Sequence, residues 1–260
     1  MAQEAVAAHV ALTIGLHLLD RIRRIRFLKY KLVRPNADMR VAFSALLRIC
    51  EGGRYLLIRN LHRPQTFGPF GGVYKYYGGA KKELDEILFR PQDLGPGSDM
   101  KDDLRGFLPR KNLVRVDRWF AASHERESPG ECLRRELTEE LKETKPSIRL
   151  PVPGALPLSL VRVVHEGPLH VPGQQYLQYR VFEVFEGQAS TTEASSFFKS
   201  LLKIAESHGD LLMAHAEEII TGRARDGRAI GPHAAYFIGR KNLRPDDPAF
   251  PPSYDKRPTV

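Results

Sequence analysis

The pattern of hydrophobic and polar residues predicts a mixed α/β chain. Two aliphatic runs, residues 40–50 and 54–60, are joined by Glu51-Gly52-Gly53, which is a β-hairpin signal. Further strands are predicted at residues 112–122, 158–165, 175–186 and 234–238, and helices at residues 80–89, 192–208 and 210–221. The final residues, 243–260, are rich in Pro and Asp and are predicted to form an irregular tail.

The helix with the clearest signal begins at Ser128. Ser128 can cap the helix, Pro129 occupies the first helical position, where its missing N–H costs nothing, and Glu131 completes a capping box. At about 100° per residue, one side of this helix carries an apolar stripe. The stripe consists of Leu133, Leu137 and Leu141. The pattern therefore predicts a helix with one face in the core.

Three carboxylates lie beside that stripe, within an arc of roughly 100°. They are Glu136, Glu139 and Glu140. Carboxylates this close repel one another unless a cation, or an arginine such as Arg135, neutralises them, and Mg²⁺ or Mn²⁺ takes oxygen ligands of this kind. The helix is therefore a candidate site for Mg²⁺ or Mn²⁺, and the alternative is a solvated helix face that carries charge.

The spacing of the charged residues is more informative than their number. Glu127 is followed after seven residues by Arg135-Glu136-Leu137-Thr138-Glu139-Glu140, a pattern that resembles the Nudix box of hydrolases that act on nucleoside diphosphates linked to another group. The two glycines that usually flank this box are replaced by Ala121 and Lys142. The resemblance implies a Nudix-like α/β/α sandwich with a mixed sheet.

The resemblance also implies roles for the box residues. Glu139 and Glu140 would bind Mg²⁺ or Mn²⁺, and Glu136 would be a further ligand or the catalytic base for water. Arg135 would pair with a carboxylate and hold it in place.

A glycine-rich stretch upstream extends the resemblance. Residues 66–74 contain the pair Gly71-Gly72 and are similar to the Pro-Gly-Gly stretch that precedes the box in Nudix proteins. On this basis about fifty residues, 73–123, are a large insert between the glycine pair and the box helix, and they would reshape the substrate pocket. The alternative is a glycine-rich surface turn in a hairpin.

Composition fits one domain with appendages. The chain has 260 residues, of which 42% are hydrophobic and 27% charged, so it can bury a full core. Cys50 and Cys132 are the two cysteines, which implies no disulfide framework and favours a reducing compartment. The net charge of +9 favours an anionic partner, whether a nucleotide, a nucleic acid or an acidic membrane surface.

The N-terminal segment, residues 1–34, is hydrophobic and then basic. Residues 5–19 carry no Asp, Glu, Lys or Arg and are followed by a basic stretch of Arg21, Arg23, Arg24, Arg26, Lys29 and Lys31. At about 1.5 Å per residue, such a helix reaches about 22 Å, short of the roughly 30 Å of a bilayer core. Three alternatives stay open: a membrane helix, an amphipathic helix on an anionic surface, and an oligomerising helix. A span would leave the globular part in the cytoplasm.

The domain at residues 39–242, together with the hydrophobic N-terminus, has a narrower resemblance. The box and the stretch Phe67-Gly68-Pro69-Phe70-Gly71-Gly72-Val73-Tyr74-Lys75 are similar to those of the SMODS-associated NUDIX proteins, membrane effectors of cyclic-oligonucleotide-based antiphage signalling (CBASS). This resemblance implies a sensor of a cyclic oligonucleotide that is made by a partner cyclic-nucleotide synthase. It also implies that occupancy drives association or rearrangement of membrane segments at the bacterial inner membrane, which halts phage spread.

Residues beside the glycine pair are candidates for the ligand site of such a sensor. They are Gly71, Gly72, Tyr74 and Lys75, with Tyr76 and Tyr77 next to them. Tyrosine rings can stack on bases, and a lysine can neutralise a phosphodiester. The alternative for the tyrosines is strand packing. The alternative function is that of a Mg²⁺-dependent hydrolase whose ligand is a nucleoside diphosphate linked to another moiety.

Overall fold

The computed structural model describes residues 32–61, 63–92, 101–122 and 124–238. The strands are β1 (Asp38–Arg48), β2 (Cys50–Glu51), β3 (Arg54–Asn60), β4 (Arg63–Gly68), β5 (Phe70–Val73), β6 (Arg90–Pro91), β7 (Arg105–Pro109), β8 (Leu158–His170), β9 (Leu177–Gly187), β10 (Leu211–His215) and β11 (Ala229–Ile230). The α-helices are α1 (Lys81–Glu86), α2 (Leu113–Ala122), α3 (Pro129–Glu143), α4 (Thr192–Ala205) and α5 (Ala216–Thr221). Short 3-10 helices lie at Gly78–Ala80, Arg110–Asn112 and Pro232–Phe237.

Both sheets are mixed, as the sequence predicts for the α/β class. The larger sheet has the strand order β6-β7-β1-β9-β8, with β5 also paired to β1. Its central strand β1 runs parallel to β9 and antiparallel to β5 and β7. The smaller sheet has the order β10-β3-β4-β11, and β2 pairs with β3 in the predicted hairpin. Two mixed sheets with helices fit an α/β Nudix-like fold.

Alternating residues of β1 divide the core in two. Met39, Val41 and Phe43 lie on the face that belongs to the larger hydrophobic cluster, together with the buried residues of helices α2, α3 and α4. Leu46 lies on the opposite face, in a second cluster with residues of the smaller sheet and the final 3-10 helix. Helix α3 is therefore held against one face of the large sheet, while the other face meets the smaller sheet.

Three predicted elements are wrong. Residues 112–122 are not a strand but form helix α2, in which Leu113, Val116 and Phe120 are buried at the three- to four-residue spacing of a helix face. Residues 210–221 form strand β10 and then the short helix α5 rather than one helix, because the first half pairs with β3. Residues 234–237 belong to a 3-10 helix that starts at Pro232, and Ile238 follows it, so no strand forms at residues 234–238.

The N-terminal segment 5–19 and the tail 243–260 lie outside the described residues, so the predictions about them stay predictions. None of the helices formed by the described residues is long and apolar enough to cross a membrane.

Candidate functional site

Helix α3 begins as predicted. The backbone N–H of Glu131 donates to the Ser128 hydroxyl at 3.3 Å, and the Glu131 carboxylate accepts from the Ser128 N–H at 2.7 Å, which confirms the capping box. The predicted apolar stripe is buried: Leu133, Leu137 and Leu141. Burial of the stripe fixes the rotation of the helix, and this rotation turns Glu136 and Glu140 toward strand β5.

Arg135 holds several acidic groups of the helix together. Its Nε and Nη2 donate to the two oxygens of Glu127 at 2.8 and 2.9 Å, and its Nη1 donates to Glu136 at 2.6 Å. Nη2 also donates to the backbone carbonyl of Val73 at 2.9 Å, so the guanidinium ties the helix to the end of β5. The pairing with Glu127 and Glu136 outweighs the effect of burial and raises the pKa of Arg135.

The glycine pair touches the helix directly. A side-chain Cβ at Gly72 would lie 2.1 Å from Oε1 of Glu136, so only glycine leaves room for this carboxylate. Gly71 has φ +129°, and its N–H donates to Oε2 of Glu140 at 3.2 Å. The pair therefore lets two carboxylates of α3 approach the backbone of β5.

Glu136 and Glu140 lie where their surroundings disfavour the ionised form of a carboxyl group. Burial is the largest effect in both cases and raises the pKa of both carboxyls, that of Glu140 strongly. The negative charge of Glu136 raises the pKa of Glu140 further, while Arg135 offsets part of the effect on Glu136. Glu139 differs from both, since 52% of its side chain is exposed and its oxygen is 3.5 Å from Nη1 of Arg135.

The donor chemistry of Glu136 and Glu140 fits a hard divalent cation, because two crowded carboxylates are only partly neutralised. Within the described residues, however, no three His, Cys, Asp or Glu side chains are arranged to hold a metal ion. The predicted binding of Mg²⁺ or Mn²⁺ by Glu136, Glu139 and Glu140 therefore stays a prediction.

The residues after the glycine pair differ in their placement. Tyr74 is fully buried, and its hydroxyl donates to Glu183 at 2.5 Å, so its ring lies in the core and is not available for stacking on a ligand. Lys75 is half-buried, with its ammonium 3.4 Å from Asp103, and its backbone N–H donates to Glu127. Of the predicted ligand residues, Gly71, Gly72 and Tyr74 thus make contacts within the fold. Lys75 is the one that carries a charged group near the surface.

With the site in view, comparison with known proteins gives the family. A family model described as the SMODS-associated NUDIX domain matches residues 38–238. The chain belongs to this family. No curated protein matches the chain.

A second charged group of this SMODS-associated NUDIX domain was not predicted. Arg40, Arg105 and Arg180 come from β1, β7 and β9 and lie on one face of the large sheet, because Ala42 of β1 pairs with both Arg105 and Arg180. We call these three residues the arginine cluster. A signal exists in the sequence, since each arginine interrupts or borders an apolar strand, but the strand register that brings them together is not visible there.

Amide oxygens and acids surround the arginine cluster. Arg40 donates to the side-chain oxygens of Gln92 and Gln178 at 3.1 and 2.7 Å. Arg180 is paired with Glu166, and Arg105 lies 3.6 Å from Asp103. Burial is the main cause that lowers the pKa of Arg40, and the charges of Arg105 and Arg180 lower it further. These arginines therefore repel one another in a partly dehydrated site.

His233 closes one side of the cluster as a neutral ring. Burial, with the charges of Arg180 and Arg63, lowers the pKa of His233 to about 3. Its Nε2 lies 3.3 Å from Nη1 of Arg180, and because arginine can only donate, Nε2 is the acceptor. The ring also packs against Phe182, with centroids 4.9 Å apart.

Proposed function

We propose that this chain is an antiphage effector of a CBASS system. Its Nudix-like domain senses a cyclic nucleotide made by a partner synthase, and the effector acts at the bacterial inner membrane to stop phage propagation. The observation that carries this proposal is the match of residues 38–238 to the SMODS-associated NUDIX family.

Two properties of the chain support the proposal. The net charge of +9 favours a polyanionic ligand. The hydrophobic run at residues 5–19, followed by arginines, offers a segment that can insert into or lie on an anionic membrane. In this proposal, ligand binding drives copies of the chain to associate and so brings their N-terminal segments together.

A second candidate function is hydrolysis of a nucleoside diphosphate linked to another moiety. The arrangement around Arg135 favours it, because the arginine fixes Glu127 and Glu136 as a box of this type requires. The Gly71 N–H positions Glu140 beside them. Glu136, Glu139 and Glu140 would hold Mg²⁺, which when bound supplies positive charge to pyrophosphate oxygens and lowers the pKa of water. Glu136, with its raised pKa, is suited to accept a proton.

One set of measurements on the full chain separates the two functions. The protein is incubated with Mg²⁺ and cyclic di- and trinucleotides, and in parallel with dinucleoside polyphosphates and nucleotide sugars. Binding is measured by calorimetry and turnover by chromatography. The sensor proposal expects binding of a cyclic nucleotide without its consumption. Deletion of residues 1–20 should leave this binding intact and remove toxicity in cells that make the ligand.

Turnover of a diphosphate substrate would favour the hydrolase instead. In that case Glu140→Gln should abolish turnover, while Glu143→Gln, on the exposed last turn of the same helix, should not. Failure of every cyclic nucleotide to bind would contradict the sensor proposal.

A further inference from the structure

Among the described residues of the arginine cluster and its printed ion pairs, positive groups outnumber negative ones. Arg40, Arg105 and Arg180, with Lys75 beside Asp103, supply four positive groups, and Asp103 and Glu166 supply two negative ones. These described groups lie in a half-buried region of the sheet face. Positive charge in excess and held away from water is costly, so the arrangement is stable only at the expense of other interactions.

Arg40 shows this excess most clearly. Within the part of the chain that the structure describes, its hydrogen-bond partners are the neutral amides of Gln92 and Gln178, and no carboxylate pairs with it. Two glutamine oxygens orient the guanidinium without cancelling its charge. They also leave the remaining N–H groups of Arg40 for an acceptor that comes from outside.

Arg180 adds an unused donor to the same face. Its Nη2 pairs with Glu166 and its Nη1 faces His233, but its buried Nε has no hydrogen-bond partner among the described residues. One oxygen of Glu166 is likewise buried without a partner in the described part of the chain. Buried polar atoms are usually satisfied, so these unpaired atoms indicate that a polar group from a ligand or water completes the site.

Two aromatic rings border the cluster. Phe107 is opposite Arg40 in the β1–β7 register, and its ring meets that of Tyr176 edge to face, with centroids 5.1 Å apart. Both side chains are half-buried. Tyr176 is also close enough to Arg40 to raise the pKa of the guanidinium, against the larger lowering by burial. Arginine forks that match phosphate oxygens, next to rings that can stack on a base, are the features that bind nucleotides.

We propose that Arg40, Arg105 and Arg180 bind the phosphate groups of a nucleotide on this face of the large sheet, with Tyr176 and Phe107 against a base. This inference rests on the proposed sensor function for the identity of the nucleotide, a cyclic oligonucleotide. It places the ligand on the arginine cluster rather than at the buried Tyr74.

Asp103 lies at the edge of the proposed site, beside Lys75 and Arg105. Asp103 lies 3.4 Å from the Lys75 ammonium and 3.6 Å from Arg105, and its negative charge contributes to the raised pKa of Glu136.

The test uses the full chain and two kinds of probe. Cyclic di-AMP, cyclic di-GMP and cyclic triadenylate test the nucleotide, and inorganic pyrophosphate tests the anion site alone. Arg40→Gln removes the charge that no carboxylate of the described residues balances, and Arg118→Gln is the control, since Arg118 is an exposed arginine of helix α2, which packs on the opposite face of the sheet. Dissociation constants are measured by calorimetry, and folding is checked by urea unfolding. Arg40→Lys is a second variant that keeps the charge but loses the planar fork.

We expect Arg40→Gln to weaken binding of pyrophosphate and of the cyclic nucleotide by about tenfold or more, since charge-assisted hydrogen bonds are lost. Arg40→Lys should have an intermediate effect, and Arg118→Gln should change the affinity less than about twofold, as expected for an exposed charge on the opposite face of the sheet. Tyr176→Leu should weaken binding of the cyclic nucleotide but not binding of pyrophosphate.

The outcomes separate the site from the proposed function. If pyrophosphate binds and depends on Arg40 while no cyclic nucleotide binds, the anion site stands and the sensor function fails. If a cyclic nucleotide binds equally well to wild type, Arg40→Gln and Arg40→Lys, the sensor function stands and the site assigned here is wrong. If neither probe binds to wild type, both are wrong.

Discussion

Arg135 and Glu127 form a two-pronged ion pair, with N–O distances of 2.8 and 2.9 Å. Glu127 precedes helix α3 and Arg135 lies in its second turn, so the pair closes the loop that enters the helix. The same carboxylate accepts the backbone N–H of Lys75 at 2.9 Å. One buried glutamate therefore connects the helix to the segment that follows the glycine pair.

Replacement of Arg135 should expose how much this connection contributes. Arg135→Ala leaves the Glu127 side chain, which is 10% exposed, without its cation, and we expect the free energy of unfolding to fall by about 3 kcal/mol. Urea unfolding at pH 7 measures the change. Arg134→Ala, at the exposed neighbouring position, should cost less than about 0.5 kcal/mol. If both variants lost the same free energy of unfolding, the ion pair would contribute no more to stability than an exposed arginine does.

Tyr74 should matter for stability and not for ligand binding. Tyr74→Phe removes a buried hydroxyl that donates to Glu183, and we expect a loss of about 1 to 2 kcal/mol because Glu183 loses its partner. Affinity for any nucleotide that the protein binds should stay unchanged. The control is Tyr77→Phe, at an exposed tyrosine. If Tyr74→Phe lost affinity for the nucleotide without losing stability, this tyrosine would belong to the ligand site after all.

The sequence predicts local features of the site better than its long-range contacts. The helix cap, the apolar stripe and the pairing of Arg135 with a carboxylate follow from residues within about four turns of helix. Burial of Tyr74 does not, because the partner that makes it a core residue, Glu183, is 109 positions away.

The error at helix α2 has a similar cause. Val114 and Val116 alternate with Arg115 and Asp117 as in a strand, while Leu113, Val116 and Phe120 also fit a helix, so the pattern supports both periods. Packing decides: Phe120 stacks on Phe43 at a centroid distance of 4.4 Å. The arginine cluster was missed for the same reason. Its members are 65 and 75 positions apart in the sequence, and only the strand register brings them together.

Gly72 should be intolerant of even one methyl group. Gly72→Ala places a Cβ 2.1 Å from Oε1 of Glu136, so this carboxylate must move away from Arg135. We expect a loss of about 2 kcal/mol in the free energy of unfolding, in the range of overpacked sites. Gly130→Ala is the matched control, because a Cβ there meets nothing within 4 Å and alanine favours helix. The prediction is wrong if Gly72→Ala unfolds at the same temperature as wild type.

Glu140 should make stability depend on pH in the absence of metal. Its pKa is raised well above the ordinary value of 4.5, chiefly by burial and then by Glu136. The folded state thus binds this proton more tightly than the unfolded state, so the stabilising contribution is complete below pH 4.5 and is lost as pH rises through the folded pKa. A carboxyl whose pKa is raised by one pH unit on folding changes the free energy of unfolding by about 1.4 kcal/mol across this range.

Glu140→Gln should remove this dependence, since a glutamine oxygen can still accept from the Gly71 N–H and carries no charge. In chelator-treated protein, we expect the variant to become more stable than wild type as pH rises from 4.5 toward 8, while Glu143→Gln keeps most of the wild-type dependence, because Glu143 raises the pKa of Glu140 less than burial and Glu136 do. Adding Mg²⁺ at pH 8 should raise the unfolding midpoint of wild type and leave that of Glu140→Gln unchanged, because a cation that binds the ionised carboxylate stabilises the folded state by mass action. A constant difference between wild type and Glu140→Gln across this pH range would show that Glu140 is not the group whose charge the fold opposes, and an equal response to Mg²⁺ in both would place the cation elsewhere.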